Sequence, residues 1–225
     1  MDIDNYKNNG IGLSKTCFKK LYSILESKEN INILEFGSGF STKFLIDYRL
    51  HSNKNIQIDS FDNDINYSYK NTNNYDFINV NVLPLVSCTE DKFNLLFNKE
   101  KKYNNSYFSI HKSLPPNHPK YWRQRNTFYN ITDQLDNKLY DIVLIDGPNG
   151  NGRNIAYLHM LNKLNKNAYI VIDDYNGSDN EFDYNFIGYL KDLFTVKEIY
   201  THTYKSKNGY DEWENGGNFT IYQLQ

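Results

Sequence analysis

Two spacings of apolar residues run through this chain and divide it into elements. Polar Met1 to Gly12 reads as a flexible or loosely docked arm. Ser14 then reads as a helix cap, and Phe18, Leu21, Tyr22, Ile24 and Leu25 keep helical spacing to about Ser27. Ile31, Ile33, Leu34 and Phe36 form a buried strand, followed by a Gly37-Ser38-Gly39 turn and a helix to about Tyr48, which Ser41 or Thr42 would cap. Ile56 to Asp62 reads as a second strand and Phe77 to Val86 as a third, with Pro84 near its end. Tyr140 to Gly147 holds a fourth, whose run Val143-Leu144-Ile145 suits a central parallel strand covered on both faces. A helix carrying Ile155, Leu158, Leu161 and Leu164 leads to a fifth strand, Ala168 to Asp173. A helix over about Glu181 to Phe194 precedes strands Val196 to Tyr200 and Phe219 to Leu224, the last predicted antiparallel at the sheet edge.

This order predicts a single α/β domain over residues 1–225, with seven strands and helices on both faces. The stretch from Asp91 to Asn137 departs from it. Phe93, Leu95 and Leu96 suggest a short helix. The following residues hold Pro115, Pro116, Pro119, His111, His118, Trp122, Arg123 and Arg125, and read as no regular element. So long a loop in a compact domain is usually functional or disordered, and its aromatic residues argue against disorder. Residues 98–137 are therefore read as an insertion that covers a substrate. The mix of Arg, Lys and aromatic residues also suits an RNA surface.

Composition narrows the choice. A chain of 225 residues with net charge −2 gives no basis for non-specific nucleic-acid binding or an anionic membrane surface. Two cysteines, Cys17 and Cys88, make neither a disulfide framework nor a zinc site. No run approaches the ~18 apolar residues of a membrane span, and no signal-peptide pattern opens the chain. The expectation is a soluble, cytoplasmic protein. Asn, Lys, Ile and Tyr are abundant even inside strands and helices, which points to an A+T-rich genome such as that of a giant virus, a protist or a bacterium. A viral source would place the protein in the host cytoplasm or the virion.

The chemistry begins at the first glycine turn. A strand that feeds a helix through glycines leaves backbone N–H groups facing a ligand with no Cβ in the way. Gly37 and Gly39 fit a dinucleotide fingerprint, but Thr42 stands where its third glycine would be, which weakens a NAD reading. Asp62, at the end of the second strand and close to the expected ~20 residues on, suits ribose hydroxyls. Acidic residues also close the fourth strand (Asp146) and the fifth (Asp173, Asp174). In an open parallel sheet these ends share one crevice, and oxygen ligands there suit Mg²⁺. His111 and His118 are candidate bases or acceptor contacts, while His159 reads as packed within its helix.

The pattern Glu35-x-Gly37-x-Gly39 resembles the first motif of class I S-adenosylmethionine (SAM) methyltransferases, and the strand order resembles their fold from about Ser14 to Gln225, leaving out the loop around 98–137. That resemblance implies a Rossmann-like, mostly parallel seven-stranded sheet. It also implies a SAM site at Glu35, Gly37, Ser38, Gly39, Ser41, Thr42, Asp62 and Asp146. Asp146 in IDG and Asp173-Asp174 in VIDDY look like the metal triad of Mg²⁺-dependent O-methyltransferases, closest to the macrocin/novobiocin type that acts on sugar hydroxyls. DGPNGNGR, from Asp146 to Arg153, resembles a segment of glucuronoxylan methyltransferase-like proteins. The implied activity is transfer of a methyl group from SAM to a hydroxyl of a sugar or glycan, or another small polyhydroxy acceptor. Mg²⁺ would be held by Asp146, Asp173 and Asp174, with Asp146, Asp173 and His118 as catalytic groups and Arg153 against the acceptor. Two other readings stay open: a NAD-dependent oxidoreductase or epimerase, disfavoured by the absence of a Tyr-x-x-x-Lys pair, and a non-catalytic SAM-fold protein that binds a partner through the 98–137 loop. A homo-oligomer is equally open.

Overall fold

The structure is a computed structural model, and it describes residues 1–6, 12–66, 68, 75–100, 104–112, 125–132, 134–135, 138–175, 187–203 and 218–225. Its strands are β1 (Asn30–Phe36), β2 (Asn55–Asp62), β3 (Ile78–Val82), β4 (Leu85–Ser87), β5 (Ser109–Ile110), β6 (Thr127–Tyr129), β7 (Tyr140–Ile145), β8 (Leu164–Asp173), β9 (Val196–His202) and β10 (Phe219–Leu224). Its α-helices are α1 (Lys15–Glu26), α2 (Phe40–His51), α3 (Glu90–Leu95), α4 (Ala156–His159) and α5 (Ile187–Leu193). Seven strands form one sheet in the order β3-β2-β1-β7-β8-β10-β9, and β5-β4-β6 form a second, small sheet.

The period of two along a strand explains the layers. From β1, Ile31 and Ile33 join Phe18, Leu21 and Leu25 of α1 and Phe44, Leu45 and Tyr48 of α2 on one face. Leu34 and Phe36 join Tyr157 and Leu158 of α4 and Leu190 of α5 on the other. Each such buried Leu or Phe contributes roughly 1.5–3 kcal/mol. Ser14 caps α1 as the sequence predicts, accepting the Cys17 N–H at 3.2 Å. β1 pairs in parallel with β2 and β7, and β7 with β8, which brings the carboxyl ends of these strands to one edge.

Several boundaries differ from the sequence reading. The arm before α1 is docked where it is described: the Tyr6 ring packs edge-on against Phe44 at 5.1 Å, and its hydroxyl donates to Asp47. The third strand stops at Val82. Beyond Pro84, which lacks a backbone N–H, the chain changes sheets, and β4 pairs with β5 and β6. Part of the stretch read as irregular is thus a small antiparallel sheet. Leu164 belongs to β8 and not to a helix, because α4 ends at His159. β10 is antiparallel as expected, but lies between β8 and β9, leaving β9 at the edge. The helix expected from Glu181 is seen over Ile187–Leu193, residues 181–186 lying outside the described set. Among the described residues no helix is long and apolar enough to cross a membrane.

Candidate active site at the carboxyl edge of the sheet

The glycine turn is held by backbone bonds on two sides. The Gly37 N–H donates to Phe61 O at 2.8 Å, and the N–H groups of Asp146 and Gly147 both donate to Phe36 O at 2.8 Å. Gly37 has φ +103°, in the left-handed region, and a Cβ there would stand 2.8 Å from the Gly147 nitrogen. The ends of β1 and β7 therefore meet backbone to backbone.

Glu35 is fully buried beside this turn. Ser41 Oγ donates to its Oε1 and Thr42 Oγ1 to its Oε2, each at 2.6 Å, and Ser60 Oγ of β2 donates as well. Burial drives its carboxyl up to about 7, against the three hydroxyl bonds that favour the ionised form. The N-cap of α2 is Gly39, and Thr42 caps it from N3 as in a capping box, its Oγ1 accepting the Gly39 N–H at 2.8 Å, whereas Ser41 makes no cap bond. Both hydroxyls also tie α2 to Glu35. Asp62 is 8 % exposed and clasps the turn from β2: its Oδ2 accepts the Ser38 N–H at 2.9 Å and its Oδ1 the Asp64 N–H at 2.8 Å. Burial pushes it up to about 6, opposed by these backbone bonds.

Asp146, Asp173 and Asp174 lie together past the ends of β7 and β8, each offering a carboxylate oxygen within 4.8 Å of the others. Asp146 and Asp173 share a side-chain hydrogen bond. Burial foremost pushes both carboxyls up, the charge of the neighbouring Asp174 adds to this, and Arg153 opposes it. The Arg153 guanidinium is almost completely buried beside them. Its Nε donates to Pro148 O at 2.6 Å, Nη1 to Asp174 Oδ2 at 3.1 Å, and Nη2 lies 3.9 Å from Asp146 Oδ1. Arg153 is thus committed to the carboxylates and the loop, not exposed toward an acceptor.

The remaining residues of the Asp146–Arg153 loop hold β6. Asn126 and Asn151 pair through two bonds of 2.7 Å, the Asn126 N–H to Asn151 Oδ1 and the Asn151 Nδ2 to Asn126 Oδ1. A Cβ on Gly147 would stand 2.3 Å from the Tyr129 hydroxyl. Tyr129 is a site residue that the sequence reading missed, because it sits in a stretch with no clear period. His118 lies outside the described residues. His111 follows β5, its backbone N–H donating to Leu85 O, and burial lowers its pKa. The His159 ring stacks on Phe128 at 5.4 Å, and burial pushes its pKa down to about 3, so it is neutral. Glu35, Gly37, Ser38, Gly39, Ser41, Thr42, Asp62 and the three aspartates come together at one edge, as the sequence suggests.

No protein-family model matches this sequence, and no curated protein matches it. Solved structures do match in shape. A protein described as a candidate O-methyltransferase from Klebsiella pneumoniae superposes with a TM-score of 0.53 at 11% identity, over 99% of this chain and 89% of that one. The precorrin-6y C5,15-methyltransferase of Geobacter metallireducens superposes with a TM-score of 0.52 at 12% identity, over 97% of this chain and 94% of that one. The fold is the methyltransferase fold. Within the methyltransferase fold, the edge described above is where ligands of open α/β sheets bind, outside the carboxyl ends of the strands.

Proposed function

We propose that the protein is a SAM-dependent O-methyltransferase that transfers a methyl group to a hydroxyl of a sugar or glycan, assisted by Mg²⁺. The observation that carries this reading is the convergence, in a methyltransferase fold, of the Gly37 turn, Asp62 and three clustered aspartates at one sheet edge. Thr42 supports SAM over NAD. Its buried hydroxyl is bonded to Glu35 and to the Gly39 N–H, in the place where a dinucleotide site needs bare backbone.

SAM supplies an electrophilic methyl group on a sulfonium, and the protein's part is alignment and proton removal. Gly37, Ser38 and Gly39 would lie against the cofactor, with Glu35, Ser41 and Thr42 keeping the turn in shape. Asp62 already holds two backbone N–H groups. A carboxylate has about four lone-pair sites, so it can still accept from ribose hydroxyls. The metal residues fit a hard cation, being all oxygen and within 4.8 Å of one another. Asp146, Asp173 and Asp174 would hold Mg²⁺, which would lower the pKa of a coordinated acceptor hydroxyl. Asp146 or Asp173 would take the hydroxyl proton, and His118 is proposed as a second base. The sugar acceptor follows from the resemblance of the DGPNGNGR and VIDDY segments, and residues 98–137 are proposed to cover it. The site of action proposed is the cytoplasm, of a host cell if the source is viral.

Calorimetric titration with SAM and then with NAD⁺ tests the cofactor. Binding of SAM alone is expected, followed by methylation in a sugar acceptor screen that EDTA abolishes. A folded protein that binds no SAM would end the methyltransferase reading.

A further inference from the structure

The helices that precede β1 and β2 end side by side, and their ends enclose a cavity. α1 finishes at Glu26 just ahead of β1, and α2 at His51 just ahead of β2. Because β1 and β2 are parallel, both helix C-termini lie at the amino edge of the sheet, opposite the candidate active site. The cavity there has a volume of about 250 Å³, and Tyr22, Glu26, Tyr48, His51, Ser52 and Lys54 are among the residues that line it. The Tyr22 and Tyr48 rings meet edge to face, with centroids 5.4 Å apart and planes at 89°. The Tyr48 hydroxyl donates to Glu26 Oε1 at 2.7 Å. Ser52 Oγ is buried and has no hydrogen-bond partner among the described residues.

The hydrogen-bonding groups of this cavity are one-sided. Lys54 Nζ spends its three N–H groups on the carbonyls at the end of α1, Leu25 O at 3.0 Å, Glu26 O at 2.6 Å and Lys28 O at 2.8 Å. The Tyr48 O–H is spent on Glu26. His51 Nδ1 lies 2.7 Å from Asp47 O, so Nδ1 carries the proton, and Nε2 of the neutral ring is an acceptor. The Glu26 carboxylate keeps lone pairs beyond the Tyr48 bond, and no salt bridge to it is found among the described residues. The C-termini of α1 and α2 add the negative ends of two helix dipoles, and the tyrosine rings add π faces. An anion would meet Glu26 and both helix ends with Lys54 already spent. A carboxylate, an imidazole nitrogen, two helix ends and aromatic faces suit a cation that carries N–H groups.

We propose that this cavity is a binding site for a protonated alkylamine of the polyamine class, with an ammonium group held by Glu26 and the carbon chain against the Tyr22 and Tyr48 rings. The site stands apart from the proposed chemistry and does not rest on the methyltransferase reading. By joining the ends of α1 and α2, the amine stabilises the folded chain.

The test is calorimetric titration of the whole chain with spermidine at about 0.15 M salt, where loosely held surface charges are screened. One-to-one binding is expected in the wild type, with a raised thermal midpoint. Glu26→Gln keeps an oxygen for the Tyr48 hydroxyl and removes the charge, and it should weaken binding roughly 10-fold. Tyr22→Leu removes one aromatic face and should weaken binding roughly 3-fold. Asp174→Ala, at the opposite edge of the sheet, should leave spermidine affinity unchanged. No spermidine binding by the folded wild-type protein overturns the proposal, and so does wild-type affinity in Glu26→Gln. Binding lost in Asp174→Ala and kept in Glu26→Gln would place the amine at the acidic edge and overturn it as well.

Discussion

A Cβ built on Gly152 would stand 1.7 Å from the carbonyl oxygen of Thr127 and 2.5 Å from its nitrogen. The loop after β7 and the backbone of β6 are pressed together at this point, and neither is the tip of a flexible side chain. Gly152→Ala must therefore move backbone. A loss of about 3 kcal/mol is expected in chemical denaturation, at the upper end of overpacking costs. SAM binding should weaken along with it, because β6 packs against Gly147 beside the Gly37 turn. An unchanged midpoint would mean that β6 is not seated on this loop.

Gly188 supplies the opposite sign. It lies within α5, is exposed, and a Cβ there would meet nothing within 4 Å. Gly188→Ala should stabilise by roughly 0.5–1 kcal/mol, through restriction of the unfolded chain and better helix propensity. Its SAM affinity should not change. A destabilised variant would show that α5 packs differently.

Much of this architecture was legible in the sequence because buried parallel strands announce themselves. The runs around Leu34, Ile58, Leu144 and Ile172 are each apolar, short and closed by turn or acidic residues, so the central strands of the main sheet and their acidic edge could be read, while the place of β10 could not. The Ser14 cap has a fixed local chemistry and was equally readable. Elements set by tertiary contact were not. β4 and β6 are three residues each, too short for a period to emerge, and their pairing depends on a long return of the chain. Nothing local distinguishes Leu164 at a helix end from Leu164 at the start of β8. Thr42 caps the helix as its type allows, but that its hydroxyl and that of Ser41 also donate to a buried carboxylate two strand positions before Gly37 is a contact across elements that no local rule gives. Tyr129 illustrates the same limit, since its place beside the turn is set by contact with Phe36 and Gly147, both distant in sequence.

Glu35 makes stability depend on pH. Its carboxyl titrates at about 7 in the folded protein against 4.5 ordinarily, so the folded state holds a proton that the unfolded chain has released. The associated stabilisation is fully present below about pH 4.5 and is lost as pH rises through 7, a change of about 3 kcal/mol. Glu35→Gln removes this titration. The difference in unfolding free energy between wild type and variant, measured from pH 4.5 to 8, should shift in the variant's favour by about that amount. A flat difference would mean that the three hydroxyls hold Glu35 ionised throughout.

Asp62→Ala removes two backbone bonds from the turn and the proposed acceptor for ribose. SAM affinity should fall at least 10-fold by calorimetry, a hydrogen bond from a ribose hydroxyl to a charged carboxylate being worth about 1.5–3 kcal/mol. Glu35→Ala should weaken it too, through release of Ser41 and Thr42. Unchanged affinity in both variants would move the cofactor away from this turn.

The carboxylates of Asp146, Asp173 and Asp174 face Arg153, and in the proposed function they would also hold Mg²⁺. Arg153 neutralises part of their charge in the structure, while the oxygen cluster has the composition of a Mg²⁺ site. Arg153→Met leaves Asp146 and Asp174 without their guanidinium, and a loss of roughly 3–5 kcal/mol is expected, as for breaking a buried ion pair from one side. If the carboxylates also hold Mg²⁺, added Mg²⁺ should raise the thermal midpoint of this variant more than that of the wild type, since the ion then supplies charge that the arginine no longer provides. Asp174→Ala should abolish the Mg²⁺ response and the EDTA-sensitive activity while leaving SAM binding close to wild type. Insensitivity of both proteins to Mg²⁺, with methyl transfer surviving EDTA, would assign the cation's role to Arg153 alone and make the three aspartates a proton-holding and structural group.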